Sequence, residues 1–368
     1  MPPGQRLKSI FQSTAVPGNC SRFSNTEVFG RRSMLLSELT AATGDTQIPT
    51  LRAVLNAIES HRHPDIFSRL SWQGEDLRDV QVRVLRFHRG RRCTLELVVR
   101  TAGGVRLLVG KVYAEDGLPV YQAMVRISRG GFGPKAEFSI PEPLVFLPAM
   151  QFVLQEKVEG ASAERLFLTG KERDCILAAE RSARWLARFH AVAPKAGPVF
   201  YPNNYLTALQ RWSCRIAELG EPLARKARRL FHRLELAASS LGPIEMCPGH
   251  GDFKPPHVIL GNGRTTTCDW DRFDVADPWR DVARFVVALE RLALRHFGSM
   301  RALDAAANSF LKTYSATGRL GINLHLPFHM AATCVQFAKY DISQPITRWR
   351  DEMAALLDEG QRILETWK

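Results

Sequence analysis

His250–Leu260 reads HGDFKPPHVIL. A histidine, a glycine and an aspartate stand before a short apolar run, and two prolines stiffen the approach. Onward, HVIL reads as a strand, GNGR as a turn with two glycines, and TTTCDW as a returning strand. A hairpin centred on Asn262–Gly263 sets position 257 opposite position 268. Asp269 then lies next to His257, and Asp252 lies just before the same hairpin. Two carboxylates that stand 17 positions apart in the chain therefore converge with an imidazole on one end of a hairpin.

Upstream, VQVRVLRF (Val80–Phe87) alternates apolar and polar residues, the period-two mark of a half-buried strand. HRGRR makes a turn, and CTLELVVR (Cys93–Arg100) alternates again, with Leu95, Leu97 and Val99 on one face. TAGG is a second turn. RLLVGKVY (Arg106–Tyr113) is a third strand, which carries Lys111. A helical stretch at Leu118–Ile127, a glycine-rich connection, and the strands PLVFL and MQFVLQEKV follow; a helix is also expected over Leu51–Ile66.

After Gly160 the texture changes. KERDCILAAERSARWLARFHAV places Ile176, Ala179, Ala183, Leu186 and Phe189 at three- and four-residue steps, the stripe of an amphipathic helix. Further helices are expected at Tyr205–Leu219, Pro222–Ser239, Trp279–Phe297, Met300–Ser315, Leu324–Tyr340 and Thr347–Trp367. The expected architecture is α+β: residues 1–37 as a disordered tail, a small β-rich lobe over 38–154, and a larger helical lobe over 155–368, with the boundary near Leu154–Gly160.

Phosphoryl transfer needs a group that orients the attacking hydroxyl, carboxylates that hold Mg²⁺ against the phosphates, and a positive group on those phosphates. Asp252, Asp269 and Lys111 are of the right kinds and in the right order. Taken alone, Lys111 is better read as a surface lysine; the ensemble is not explained that way.

At this point the chain resembles the aminoglycoside phosphotransferase and choline kinase-like family, relatives of protein kinases. The family marks are H-G-D-x-x-x-x-N, an aspartate in a D-W or D-F context, and D-P-x-x-D. This chain has HGDFKPPH, CDWDRF and ADPWRD in that order and at similar spacing. The resemblance spans roughly Val80 to Phe285. It implies a protein kinase-like two-lobe fold and a kinase of small molecules that uses ATP or GTP with Mg²⁺ or Mn²⁺. Asp252 would be the catalytic base, with His250 in support, and Asp269 the metal ligand. Lys111 would bind the α- and β-phosphates, and Asp281 would hold the catalytic loop through backbone hydrogen bonds. Gln155, Glu156, Lys157 and Val158 would form the hinge that meets adenine. The turn His88–Arg92, with Gly90 and three arginines, would stand over the phosphates.

Three departures stand out. His257 replaces the family's asparagine, a metal ligand. Mg²⁺ prefers oxygen ligands, whereas Mn²⁺ accepts nitrogen more readily. Either His257 ligates a softer metal, or it hydrogen-bonds Asp252 or a phosphate and leaves one Mg²⁺ on Asp269. The second is the expectation, with a rate that falls as the imidazole loses its proton if the charged form is the useful one. Next, kinases pair the strand lysine with a helix glutamate; between Gly117 and Ala136 there is none, and Gln122 is the only polar substitute on the helix. Last, the phosphate turn is not glycine-rich. A degenerate pseudokinase that binds nucleotide or a partner without turnover is the rival reading.

The chain has 368 residues, 45% of them apolar, and a net charge of +13. That length suits roughly two domains. The longest apolar runs, such as FVVAL at Phe285, fall short of the roughly 18 residues that a membrane helix needs. Seven scattered cysteines read as reduced thiols in a cytoplasm rather than as a disulfide framework. The positive charge is spread along the chain, which favours a solvated basic surface over a nucleic-acid partner. Residues 1–37 carry only one acid, Glu27; besides a disordered tail, they resemble a transit peptide in composition, or a stretch before a true start at Met34.

Among secondary features, RGGFGPK (Arg129–Lys135) is expected to be a plain connection and the run Arg225–Arg233 a solvated helix face, with a grip on an anionic substrate as its functional reading. Asp271 follows Asp269 by two and is either a supporting or a substrate-binding carboxylate. His190 is expected to cap its helix. A polycationic acceptor would want an acidic pocket, which the six acids and four bases of residues 341–368 would allow. A choline-type acceptor would want an aromatic box, for which Trp212, Trp270 and Trp279 are candidates.

Overall fold

The computed structural model describes residues 48–59, 77–243, 245–261, 263–316, 325–343 and 348–366. Helix α1 (Leu51–Glu59) buries Leu51, Val54, Leu55 and Ile58, the one-sided spacing of an amphipathic helix. Strands β1 (Leu77–His88), β2 (Arg92–Thr101) and β3 (Gly104–Tyr113) form the expected meander. Helix α2 (Leu118–Ile127) and strands β4 (Phe138–Ser139), β5 (Pro143–Leu147) and β6 (Phe152–Glu156) follow. The main sheet has the order β1-β2-β3-β6-β5 and is antiparallel throughout. Leu95, Leu97 and Val99 are wholly buried with α1 on one face of it. Gly110 of β3 has a local reason: a Cβ there would lie 2.5 Å from the Phe152 ring, so glycine lets that ring pack flat on the sheet. β6 ends within the Leu154–Gly160 region where the sequence texture changes.

The rest is mainly helical. It comprises β7 (Ala161–Ser162), α3 (Ala163–Thr169), α4 (Glu172–Val192), α5 (Pro202–Ala217), α6 (Leu223–Ser239), β8 (Cys247–Gly249), β9 (Val258–Gly261), β10 (Arg264–Thr267), β11 (Asp274–Ala276), α7 (Pro278–Phe297), α8 (Asp304–Ser315), α9 (His325–Ser343) and α10 (Trp349–Thr366). The α+β class therefore stands, with a β-rich first part and a helical second part. Helix α3 is an addition to the sequence reading; Ser162 Oγ accepts from the Arg165 amide at 3.1 Å and starts it. Met300–Leu303 are turns, so α8 begins later than expected. RGGFGPK is a connection: it buries Phe132 and turns through Gly131 at φ +101°. The tail 1–37, the continuation of α1 to Ile66, and Asn262 lie outside the described residues.

The acidic patch that residues 341–368 would allow does not form among the described residues. Asp341 pairs with Arg291 and Arg295, Asp351 with Arg348, Glu352 with Arg295, Asp358 with Lys226, Glu359 with Arg301 and Arg362, and Glu365 with Arg229 and Arg233. Those cations come largely from α6 and α7, so the acids serve helix packing. The same pairs occupy much of the Arg225–Arg233 run, together with Arg228–Glu221. Exposed pairs of this sort contribute little, about 0–1 kcal/mol each.

Candidate active site

The loop between β8 and β9 is anchored from below. Phe253 is wholly buried, stacked on Trp185 at 5.7 Å and 5.4 Å from Phe285. Gly251 sits at φ +73°, where a Cβ would run into the Arg272 carbonyl. Asp281, near the start of α7, accepts from the His250 amide at 2.6 Å and from the Gly251 amide at 3.0 Å. Burial alone would raise the Asp281 carboxyl; His190, 3.5 Å away, outweighs it and holds the pKa at about 2. His190 is therefore not a bare helix cap: its Nδ1 also meets Tyr314 Oη at 2.8 Å.

The His250 ring continues the scaffold. Its Nδ1 accepts from the Asp252 amide at 3.2 Å, so its Nε2 carries the proton and donates to the Cys268 carbonyl at 3.0 Å. Trp270 packs against that ring at 4.7 Å. Burial lowers the His250 pKa, and a neutral ring suits both bonds.

Asp252 is buried, and each of its carboxylate oxygens accepts from a cation. Oδ1 accepts from Arg284 Nε at 2.6 Å, and Oδ2 from Lys254 Nζ at 2.9 Å. Burial pushes its pKa up, but Arg284, Lys254 and His257 pull harder and keep it well below the usual carboxylate range. Asp252 is therefore ionised at neutral pH.

The hairpin has the expected register. Val258 pairs with Thr267, and the Cys268 amide donates to the His257 carbonyl at 2.8 Å. Asp269 follows with φ +68°, a left-handed conformation uncommon outside glycine. That turn sends its carboxylate towards the main sheet. Lys111 Nζ reaches Asp269 Oδ1 at 2.8 Å and Asp271 Oδ2 at 2.9 Å. Arg92 meets Asp269 at 3.2 Å and also pairs with Asp271, whose other oxygen accepts from Tyr113 Oη at 2.5 Å. Burial raises the Asp269 carboxyl, yet Lys111, His257 and Arg92 bring it well below its ordinary value.

Lys111 is thus held without a helix partner. Gln122, the substitute considered from the sequence, is exposed on α2, and Asp271 serves instead. Gly90 adopts φ +66° in the exposed β1–β2 turn; Arg92, at the far end of that turn, is the residue that reaches the carboxylates.

His257 bridges the two aspartates. Its Nδ1 donates to the Asp252 backbone carbonyl at 3.0 Å, and its Nε2 lies 3.4 Å from Asp269 Oδ2. Burial, then the charge of Lys254, lower its pKa to about 3. Of the two protonation states that the sequence left open, burial selects the neutral ring, and an Nε2 lone pair faces a carboxylate. Asp252, His257 and Asp269 offer ligand atoms that all lie within 4.8 Å of one another.

The hinge candidates lie at the C-terminal end of β6, which runs between β3 and β5. Gln155 is buried in β6, the Glu156 amide donates to the Glu142 carbonyl, and the Lys157 amide donates to the Leu107 carbonyl. Lys157 Nζ meets Glu96 at 2.5 Å. Val158 is half-buried just beyond them.

A family model described as the phosphotransferase enzyme family, APH, matches residues 110–320, more than half of the chain. The chain belongs to the APH phosphotransferase family. A search of curated proteins found no match. Among solved structures, a choline/ethanolamine kinase family protein from Mesorhizobium loti is 14% identical with a TM-score of 0.56, covering 87% of this chain and 96% of its own. A thermostable mutant of the aminoglycoside phosphotransferase APH(4)-Ia is 15% identical at a TM-score of 0.55, with 79% and 95% covered. The GDP and kanamycin complex of APH(2'')-IIIa is 14% identical at 0.51, with 84% and 98% covered. These likenesses establish the kinase-like two-lobe fold.

In this phosphotransferase, three site residues escaped the sequence reading, Tyr113, Lys254 and Arg284, while Arg92 was read only as one of three turn arginines. One had a signal. Arg284 stands three residues after Asp281 on α7, hence on the same helix face, and Asp281 was already assigned to the loop. Of the tryptophans considered for an aromatic box, Trp270 and Trp279 are core residues. No helix among the described residues is long and apolar enough to cross a membrane.

Proposed function

We propose that the chain transfers the γ-phosphate of ATP or GTP to a hydroxyl of a small molecule. One observation carries this reading: ligand atoms of Asp252, His257 and Asp269 gather within 4.8 Å, with Lys111 of the main sheet 2.8 Å from Asp269. An aspartate that meets the acceptor, a divalent-cation cradle and a phosphate-binding lysine thereby share one place, as phosphoryl transfer requires. The GDP held by the APH(2'')-IIIa structure supports a nucleotide as donor.

The residues fit the groups that the family implies. Asp269 and His257 would hold the metal, which neutralises charge on the phosphates. His257 has the bonding of a metal-binding histidine, with one nitrogen fixed on a carbonyl and the other open towards the cluster. That favours nitrogen ligation, against the expectation that His257 leaves the metal alone, and it brings Mn²⁺ in beside Mg²⁺. Lys111 and Arg92 would move from the carboxylates to the nucleotide phosphates. Arg92 Nε is buried with no hydrogen-bond partner among the described residues, as befits a network completed by an anion. Gly90 would bring the turn amides close to those phosphates, and the segment Gln155–Val158 would meet the base.

Asp252, held below its ordinary pKa, is a weak proton acceptor. Its work is to orient the hydroxyl, the larger contribution in a loose transition state. Lys254, beside it, puts a positive charge where the phosphoryl group travels. Because Asp271 holds Lys111, the missing helix glutamate no longer argues for a pseudokinase. The test is a thermal-shift titration of ATP and GTP with Mg²⁺ or Mn²⁺, followed by a phosphate-transfer assay on a panel of alcohols. Nucleotide with metal should raise Tm, and some alcohol should be phosphorylated; neither effect with any nucleotide would overturn the reading.

A further inference from the structure

A cavity of about 140 Å³ opens beside the catalytic loop, and neither Lys111 nor Asp269 lines it. Gly251 forms part of its wall, and so do Phe200, Tyr205 and Trp212 from the α5 side. Three arginines line it, Arg272, Arg280 and Arg284, and no acidic side chain does. Two of them have carboxylate partners behind the wall: Arg284 on Asp252, and Arg280 on Asp274 at 2.5 Å. Arg272 is exposed and makes no ion pair among the described residues. Positive charge is therefore left over in the cavity. Tyr340 reports it: burial should raise its phenol, yet Arg284 and Arg272 bring the pKa below the ordinary value.

The aromatic side chains are not a box for a quaternary ammonium. The Arg280 guanidinium lies 4.0 Å over the Phe200 ring and takes the face that an ammonium would use. Tyr205 is stacked on His329 at 6.0 Å and meets Trp212 edge-on. A polycation would face three arginines without one lining carboxylate.

We propose that this cavity receives the acceptor, and that the acceptor is a small hydroxy compound carrying a carboxylate or phosphate group. The inference rests on the reading of Asp252 as the residue that meets the acceptor hydroxyl. Arg272 and Arg280 would hold the anionic group as charge-assisted donors, while the hydroxyl points past Gly251 to Asp252. The hydroxyl oxygen forms a bond to the γ-phosphorus, and the bond from that phosphorus to the β-bridging oxygen breaks. The nucleoside diphosphate leaves, and the hydroxyl proton passes through Asp252 to solvent. The size argues for a molecule of few carbons, since drug-sized sites run from roughly 300 Å³ upward.

The test compares anionic alcohols with their neutral parents at matched ionic strength: glycerate and sn-glycerol 3-phosphate against glycerol, and glucose 6-phosphate against glucose, with choline and kanamycin as cations. Thermal shift and phosphate transfer are both read on the full chain. At least one anion should stabilise the protein and be phosphorylated in preference to its parent; whether carboxylate or phosphate leads identifies the anionic group. Arg272→Gln should weaken the apparent affinity for that anion about tenfold, the scale of one charge-assisted hydrogen bond, and Arg272→Lys should recover part of it. Phosphorylation of choline or kanamycin, no advantage of any anion over its parent, or an anion response indifferent to Arg272→Gln would overturn the proposal. Failure of the kinase reading itself looks different: anions would still stabilise the wild-type chain, but ATP with metal would not.

Discussion

Asp252 and Asp269 flank one hairpin, and both are buried carboxylates held below their ordinary pKa by cations. Their partners differ in origin. Asp252 is gripped by Lys254, two residues away, and by Arg284 of α7, both within the helical part. Asp269 is gripped by Lys111 and Arg92, which lie 158 and 177 residues away on the main sheet. The first arrangement fixes a side chain whatever the sheet does. The second ties the two lobes together, so it exists only while they are closed on one another. The comparison separates a preset group from a conditional one, and substitutions can test that division.

The largest effect should come at the preset group. Asp252→Asn should cut transfer by about 10²-fold or more, the scale of misplacing a reacting group. Asparagine is the informative replacement, because alanine would leave Arg284 buried and unpaired and confound the result with instability. Nucleotide-dependent stabilisation should survive. Near-normal turnover in a folded Asp252→Asn protein would break the comparison at its first term.

At the conditional group, Asp269→Asn and Lys111→Met should act through nucleotide rather than through the fold. The rise in Tm that metal and ATP produce should shrink in both, with apparent metal affinity down roughly 10–100-fold in Asp269→Asn. Two proteins with unchanged nucleotide response and rate would show that the inter-lobe pairs are structural only.

Much of this was legible because it is local. A short Asn-Gly hairpin fixes its own register, so the meeting of positions 257 and 268 followed from the turn chemistry. The period-two strands of the meander and the stripe of α4 were readable for the same reason. What stayed hidden depends on reach through space. Arg92 looked like one of three equivalent turn arginines, and only the closure of β1–β2 over the hairpin selects it. Asp271 was weighed evenly because its partners, Lys111 and Tyr113, lie on another strand. The acids of residues 341–368 suggested a patch because their neutralising arginines are far away in the chain. The protonation state of His257 stayed open for a different reason: residue type alone allows both forms, and burial selects the neutral one.

A smaller effect should appear at the anchor shared by both carboxylates. Asp281→Asn keeps the shape but loses one acceptor for the amides of His250 and Gly251. The cost should be about 1–3 kcal/mol, that of an unsatisfied buried polar group, read as a lower Tm by circular dichroism. Because Asp281 positions the loop, kcat should fall with KM for nucleotide nearly unchanged. A fall in Tm with unchanged kcat would reduce Asp281 to packing.

The smallest and most discriminating effect lies at His257, which touches both aspartates. Its folded pKa is about 3 against 6.5 for the free side chain. Between those values the unfolded chain binds a proton that the folded chain does not, so stability rises with pH across that window and is fully present above pH 6.5. Lowering the pH from 6.5 towards 4 should therefore reduce Tm, and His257→Asn should flatten that slope while leaving the plateau above it nearly level. Between pH 7 and 9 the rate should carry no titration from His257, because the ring is already neutral. The metal response gives the second readout. If Nε2 is a ligand, Mn²⁺ should support the wild type better than Mg²⁺, and His257→Asn should shift the preference towards Mg²⁺, since asparagine supplies an oxygen. An unchanged metal preference in His257→Asn, with a rate that still falls by an order of magnitude, would instead place the histidine's work on Asp252, through the hydrogen bond to its carbonyl.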